Sequence, residues 1–141
     1  MSRLSTPTKR RWSWLSHDQR LPDRQRLGQE SERFAARFLV SQGYAILETN
    51  VRARLGEIDL VAREGQMLCF IEVRSASSLQ WGGPLASITD RKRRRLIRAA
   101  QWFVSQRKPS VPELRFDVVG VTWNASGEPS CELIRGAFDA G

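Results

Sequence analysis

The segment 57–74, EIDLVAREGQMLCFIEVR, constrains the fold more than any other part of the chain. Two apolar runs, 57–63 and 67–74, read as strands on either side of a tight turn. Gly65-Gln66 suits a two-residue loop with glycine at the first central position, the type II′ pattern. Glu64 then faces Met67, so Asp59 faces Glu72 and Glu57 faces Arg74. Side chains alternate along a strand, and this register puts Glu57, Asp59, Glu72 and Arg74 on one face of a sheet.

Facing side chains have Cβ atoms roughly 4.5–5.5 Å apart, and like charges placed opposite are destabilising. The flanking residues Ile58, Leu60, Val61, Leu68, Phe70 and Ile71 are apolar, so water is scarce around the pair. A divalent cation between the oxygens relieves the repulsion. Carboxylates, carbonyls and water are the hard ligands that Mg²⁺ or Mn²⁺ takes. Such an ion activates a water and stabilises charge on a phosphoryl group. Arg74 lies on the same side and can clamp a phosphate. The competing reading is an exposed sheet face with a Glu57–Arg74 surface ion pair, worth about 0–1 kcal/mol.

Around the hairpin the pattern predicts further elements. A helix over 22–42 carries the stripe Leu27, Ser31, Phe34, Ala35, Phe38 and Leu39, closed by Gly43. Residues 44–52 read as a strand and 53–56 as a turn. The stretch 75–86 reads as a loop, and its Trp81-Gly82-Gly83 can serve as a flap, a stacking platform or plain surface. A second helix runs from Thr89 or Asp90, either able to cap it, to Gln106. Its buried face is Leu96, Ala99, Ala100 and Phe103. Residues 114–123 read as a strand and 131–135 as a short final one. The order is α-β-β-β-α-β-(β), an α/β fold with a small mixed sheet and the helices on opposite faces or both on one.

The chain has 141 residues and a net charge of +8. Residues 1–26 hold seven Lys/Arg and two Asp/Glu, so most of the excess sits at the start of the chain. Residues 1–24 read as a basic disordered tail, with 25–141 as the domain. Trp12 and Trp14 in that tail can anchor on the domain or stack on a base. The folded part clusters its cations in Arg91, Lys92, Arg93, Arg94, Arg95 and Arg98, the footprint of a surface that meets phosphates. Arg91, Arg95 and Arg98 point away from the helix's buried face, whereas Lys92 lies one turn before Leu96, near it. No apolar run is long enough to span a membrane or act as an export signal, so a cytoplasmic location is expected. Cys69 and Cys131 fall in strand-like runs and read as reduced thiols, and the single histidine, His17, leaves no structural zinc set.

The motifs GEIDLVA, IEVR, GGPLASIT and RFDVVGV, in this order, resemble the YraN-like family of uncharacterised bacterial proteins. That family is similar to the Holliday-junction resolvases and the PD-(D/E)XK nucleases. The likeness covers about residues 26–138 and implies a restriction-endonuclease-like core. It implies metal binding by Asp59 and Glu72, with Glu32 of the first helix assisting. Arg74 falls on the position of the superfamily's catalytic lysine, Lys92 on its later helix lysine, and Asp117 on the aspartate of the FDVV strand. Arginine at position 74 keeps the charge but is a poor general base. Glu32 flanks the helix stripe and can reach the sheet, whereas Glu30, on the other edge, reads as a solvent residue. Ser87 and Thr89 read as caps rather than nucleophiles, having no dyad partner.

Together these readings lead to a Mg²⁺- or Mn²⁺-dependent endonuclease acting on DNA, branched DNA included. Glu32, Asp59, Glu72 and Arg74 would be catalytic, and Arg91, Lys92, Arg94, Arg95 and Arg98 would bind nucleic acid. The resolvase likeness extends to an expected homodimer. The alternative is a nucleic-acid-binding module that keeps the fold without the chemistry.

Overall fold

A computed structural model describes residues 23–76, 88–110, 113–124 and 128–140. Helix α1 covers Asp23–Ser41 and α2 covers Asp90–Arg107. The strands are β1 (Ala45–Ala53), β2 (Gly56–Glu64), β3 (Met67–Ala76), β4 (Glu113–Trp123) and β5 (Pro129–Phe138). They form one mixed sheet in the order β1-β2-β3-β4-β5. β1, β2 and β3 make an antiparallel meander, β3 and β4 are parallel, and β4 and β5 are antiparallel. The α2 segment lies in the connection between the two parallel strands, as such a pairing requires.

Each helix forms where the sequence predicts it, for local reasons. Gly43, with φ +101, ends α1, and the Tyr44 N–H returns to the Leu39 carbonyl. Thr89 caps α2 by accepting the Lys92 N–H at 3.2 Å. The helices cover opposite faces of the sheet. α1 packs Ala35 and Leu39 on Leu60, Ala62, Cys69, Ile71, Val119 and Val121. α2 packs Leu96, Ala99, Ala100 and Phe103 on Val51, Ile58, Val61, Leu68 and Phe70. In β3 the odd and even positions divide cleanly between the two cores, which places Glu72 and Arg74 on the α2 side with Leu68 and Phe70.

The β2–β3 hairpin has the expected register, Glu64 opposite Met67 through Leu60 opposite Ile71. Gly65 takes φ +62 and Gln66 stays at negative φ, as a type II′ turn requires. The final strand is the main correction. It is ten residues long, not the short 131–135 expected, and it pairs with β4 from Trp123–Pro129 to Phe116–Phe138. Its register shifts between Phe116 and Val118, where Gly136 sits at φ +60. That glycine breaks the alternation from which the strand would be read.

Cys69 and Cys131 are both free thiols, as expected. Among the described residues no helix is long and apolar enough to cross a membrane. Trp12, Trp14, His17, the Trp81-Gly82-Gly83 motif and Ser87 lie outside the described residues.

Candidate metal centre and nucleic-acid surface

The two hairpin strands part where the acidic residues begin. Their ladder ends at Leu60–Ile71, and beyond it the Asp59 side chain takes over: Oδ2 accepts the Val73 N–H at 2.8 Å. The alternation of β2 slips at the same place. Ile58 packs in the α2-side core with Val61, while Leu60 packs in the α1-side core. β1 slips in step, for Thr49 pairs with Leu60 and Val51 with Ile58 while Asn50 between them takes φ +51. Asparagine tolerates the left-handed region better than most residues do. The coupled distortion centres on Asp59, where the two strands part.

Three carboxyls meet there. Burial pushes Asp59 up to about 7, with the Val73 N–H opposing the rise and Glu32 and Glu57 adding to it. Burial likewise pushes Glu72 up to about 7, helped by the charge of Asp59 and resisted by Arg74 and Lys92. Glu32, from α1, is raised by burial; hydrogen bonds from Asn50 and with Asp59 oppose that rise, and Glu57 and Glu72 add to it. The helix that approaches one face of the sheet thus brings the Glu32 carboxyl to Asp59. Glu57 acts on Glu32 and Asp59 through its charge. It is not the facing partner of Arg74 that the register extrapolates to, because the ladder has already ended. Arg74 instead pairs with Glu72 at 3.4 Å.

The donor set is all oxygen and fits a hard divalent ion. Among the described residues no group of three or more His, Cys, Asp or Glu side chains is placed to hold a metal ion. Mg²⁺ does not need one, since it is commonly held by one or two carboxylates and keeps several waters. Asp59 and Glu72 are suited to hold such an ion, with Glu32 beside them.

Lys92 brings charge from the other helix. It is exposed on the first turn of α2, and its ammonium feels Arg74, Glu72 and Asp59. Desolvation and the Arg74 charge lower its proton affinity, while the two carboxylates raise it. The remaining helix arginines, Arg91, Arg94, Arg95 and Arg98, are exposed and lie together with Arg54 of the β1–β2 turn. Arg93 is separate, with its guanidinium over the Phe138 ring at 5.5 Å.

Several assignments change. Glu30 is not a solvent residue: it is only 1% exposed and pairs with Arg33 at 3.2 Å. The neighbouring Ser31 accepts the Trp123 indole N–H at 2.8 Å, and this bond turns that edge of α1 onto the sheet. Asp117 keeps the structural role that its place in the FDVV motif allowed. It is fully buried and accepts from Tyr44 at 2.7 Å, from the Arg115 Nε and Nη2 at 2.8 Å each, and from the Gly136 N–H at 2.9 Å. Arg115 also reaches Glu64, which pairs with Arg135 as well. Asn50 and Arg54 carry parts of the site that sequence reasoning passed over. Asn50 had a signal, since asparagine is depleted in strands. Arg54 had only its place in a turn.

A mixed-sheet α/β domain with an acidic cleft between two parted strands and basic residues beside it is the class these features define. The chain belongs to Uncharacterised protein family UPF0102, which matches residues 31–121. It is 45% identical over 117 residues to a UPF0102 protein of Anaeromyxobacter sp. (strain Fw109-5), covering 83% of this chain and 87% of that one. A UPF0102 protein of Moorella thermoacetica is 46% identical over 117 residues, or 82% and 97% of the two chains. One from Chromohalobacter salexigens is 46% identical over 121 residues, 84% and 94%.

Proposed function

We propose that this protein is a Mg²⁺- or Mn²⁺-dependent endonuclease that hydrolyses phosphodiester bonds in DNA, with branched DNA the first substrate to test. The observation that carries the reading is the crowding of Glu32, Asp59 and Glu72 where β2 and β3 part. Burial and the charges of Glu32 and Glu57 raise the proton affinity of Asp59, and Asp59 in turn raises that of Glu72; such carboxyls are costly alone and are relieved by a cation. Asp59 and Glu72 would hold the ion and Glu32 would support it. A bound ion would supply Lewis acidity and an acidified water. Arg74 and Lys92 offset the charge that builds on the scissile phosphate. A guanidinium is a poor general base, so Arg74 contributes charge and orientation and not proton abstraction.

A nicking assay on linear, flap and four-way substrates tests this. Mn²⁺-dependent product is expected, lost in Asp59→Ala and Glu72→Ala while DNA binding persists. Absence of product from the wild type on every substrate rejects the enzyme. The second reading, a binding module without chemistry, is favoured by Arg74, whose guanidinium stands where a lysine would serve and is already engaged with Glu72. It predicts salt-sensitive binding and no metal-dependent product.

A further inference from the structure

Five arginines form a cavity of about 550 Å³ with Leu55: Arg54 from the β1–β2 turn, and Arg91, Arg94, Arg95 and Arg98 from α2. The helix residues recur at i, i+3, i+4 and i+7, which sets them in one stripe. Like charges at those spacings destabilise a helix, and the turn adds a fifth cation from the opposite wall. All five are exposed, and among the described residues none is paired with a carboxylate. Asp90, one turn before Arg94, makes no ion pair with it. The turn is fixed in place, for a Cβ on Gly56 would lie 2.1 Å from the Arg95 carbonyl oxygen. The turn that carries Arg54 is therefore held against the helix by close backbone packing.

We infer that these five guanidiniums are a second site, apart from the carboxylate cleft, that grips the phosphates of a nucleic-acid strand. Guanidiniums match phosphate oxygens bidentately and are weakly hydrated. The stripe extends roughly 10 Å along α2 at 1.5 Å per residue. One strand carries a phosphate about every 3.4 Å of helix axis, so the stripe spans more than one phosphate. Lys92, on the adjoining side of α2, links this grip to the cleft. The inference rests on the nucleic-acid part of the proposed function and is independent of its cleavage step.

The test is fluorescence anisotropy of a labelled oligonucleotide against KCl, in EDTA, so that binding is read without cleavage. Wild type is compared with Arg54→Ala, with the pair Arg91→Ala/Arg95→Ala, and with Arg63→Ala. Arg63 is an exposed arginine at the hairpin end of β2 and corrects for net charge. The log–log salt slope is expected to fall by about 0.7–0.9 for each arginine lost from the cavity, with several-fold weaker binding. Arg63→Ala should leave both unchanged. Equal slopes in all four proteins, or an equal loss in Arg63→Ala, overturn the inference. Should the helix pair fail to fold, Arg54→Ala on the turn decides alone. Oligonucleotides with a 5′-phosphate or a 5′-hydroxyl separate the sources. A phosphate-dependent gain that vanishes in Arg54→Ala marks a strand end as the occupant, and equal affinities mark the backbone. An enzyme that fails to nick but shows the slope change loses the cleavage reading alone.

Discussion

Asp59 completes the β2–β3 hairpin with its side chain, Oδ2 to the Val73 N–H at 2.8 Å, just past the last backbone pair of the ladder. One carboxyl therefore has two tasks, closing the sheet and presenting charge to the cleft.

Those tasks separate by substitution. Asp59→Asn keeps an acceptor oxygen for Val73 and removes the charge that burial opposes. At pH 8 the variant should be more stable by about 1–2 kcal/mol, with a melting point a few degrees higher, and should lose nicking. Asp59→Ala leaves the Val73 N–H without its acceptor and should lose about 1 kcal/mol or more relative to Asp59→Asn. Thermal melts of the three proteins check both values.

The metal-free protein should be less stable at both ends of the pH range. Asp59 and Glu72 are raised to about 7. Their neutral forms suit the folded state, so this contribution is full below about pH 4 and is lost as pH rises through 7. Glu64 behaves in the opposite sense, held down to about 2 first by Arg135, with Arg115 adding to it. Its contribution is present above its ordinary value and is lost as pH falls towards 2. Chemical denaturation from pH 3 to 9 in EDTA should show the alkaline decline, and Glu72→Gln should flatten it.

Added Mn²⁺ should reverse that decline. An ion that binds only the folded state stabilises by RT ln(1 + [L]/Kd), about 2.7 kcal/mol at a hundredfold excess over Kd. The shift should be present at pH 8, small at pH 5 and absent in Asp59→Ala. An equal shift in the variant would place the ion elsewhere.

Gly56→Ala should destabilise by about 1–3 kcal/mol, because the added methyl meets the Arg95 carbonyl at 2.1 Å and the turn must move off α2. The same change should weaken DNA binding in EDTA, since it displaces Arg54.

Asp117→Ala should cost about 3–5 kcal/mol, as it strands the buried side of Arg115 and removes the acceptor of Tyr44 and Gly136. Tyr44→Phe should cost about 1 kcal/mol. Neither should change the salt slope of DNA binding.

The hairpin was legible in the sequence because a two-residue loop leaves one register, and that register holds from Glu64–Met67 to Leu60–Ile71. The facing of Asp59 with Glu72 extrapolated from it does not, because the ladder ends there and the alternation of β2 slips at Asp59. Both helices were legible from their apolar stripes and caps. What escaped depends on contacts distant in the chain. Glu30 and Glu32 flank the same stripe, and the burial of the Glu30 edge goes with the Ser31–Trp123 bond, a contact 92 residues apart in the chain. The slip of facing at Asp59 lies beside one left-handed residue, Asn50, on the neighbouring strand. Arg54 joins the helix arginines only because Gly56 allows two backbones to touch.

The parallel pairing of β3 with β4 separates the sheet into two stretches of different origin. Asp59 and Glu72 both belong to the meander, whose strands join through tight turns, whereas β4 reaches its place only after the chain has passed through α2. Contacts distant in the chain form slowly and local ones quickly. The Asp59 and Glu72 strands are therefore assembled from near neighbours, and β4 is delivered to them by the excursion that carries the basic helix. A folding experiment that follows the hairpin and β4 separately would see them arrive in that order.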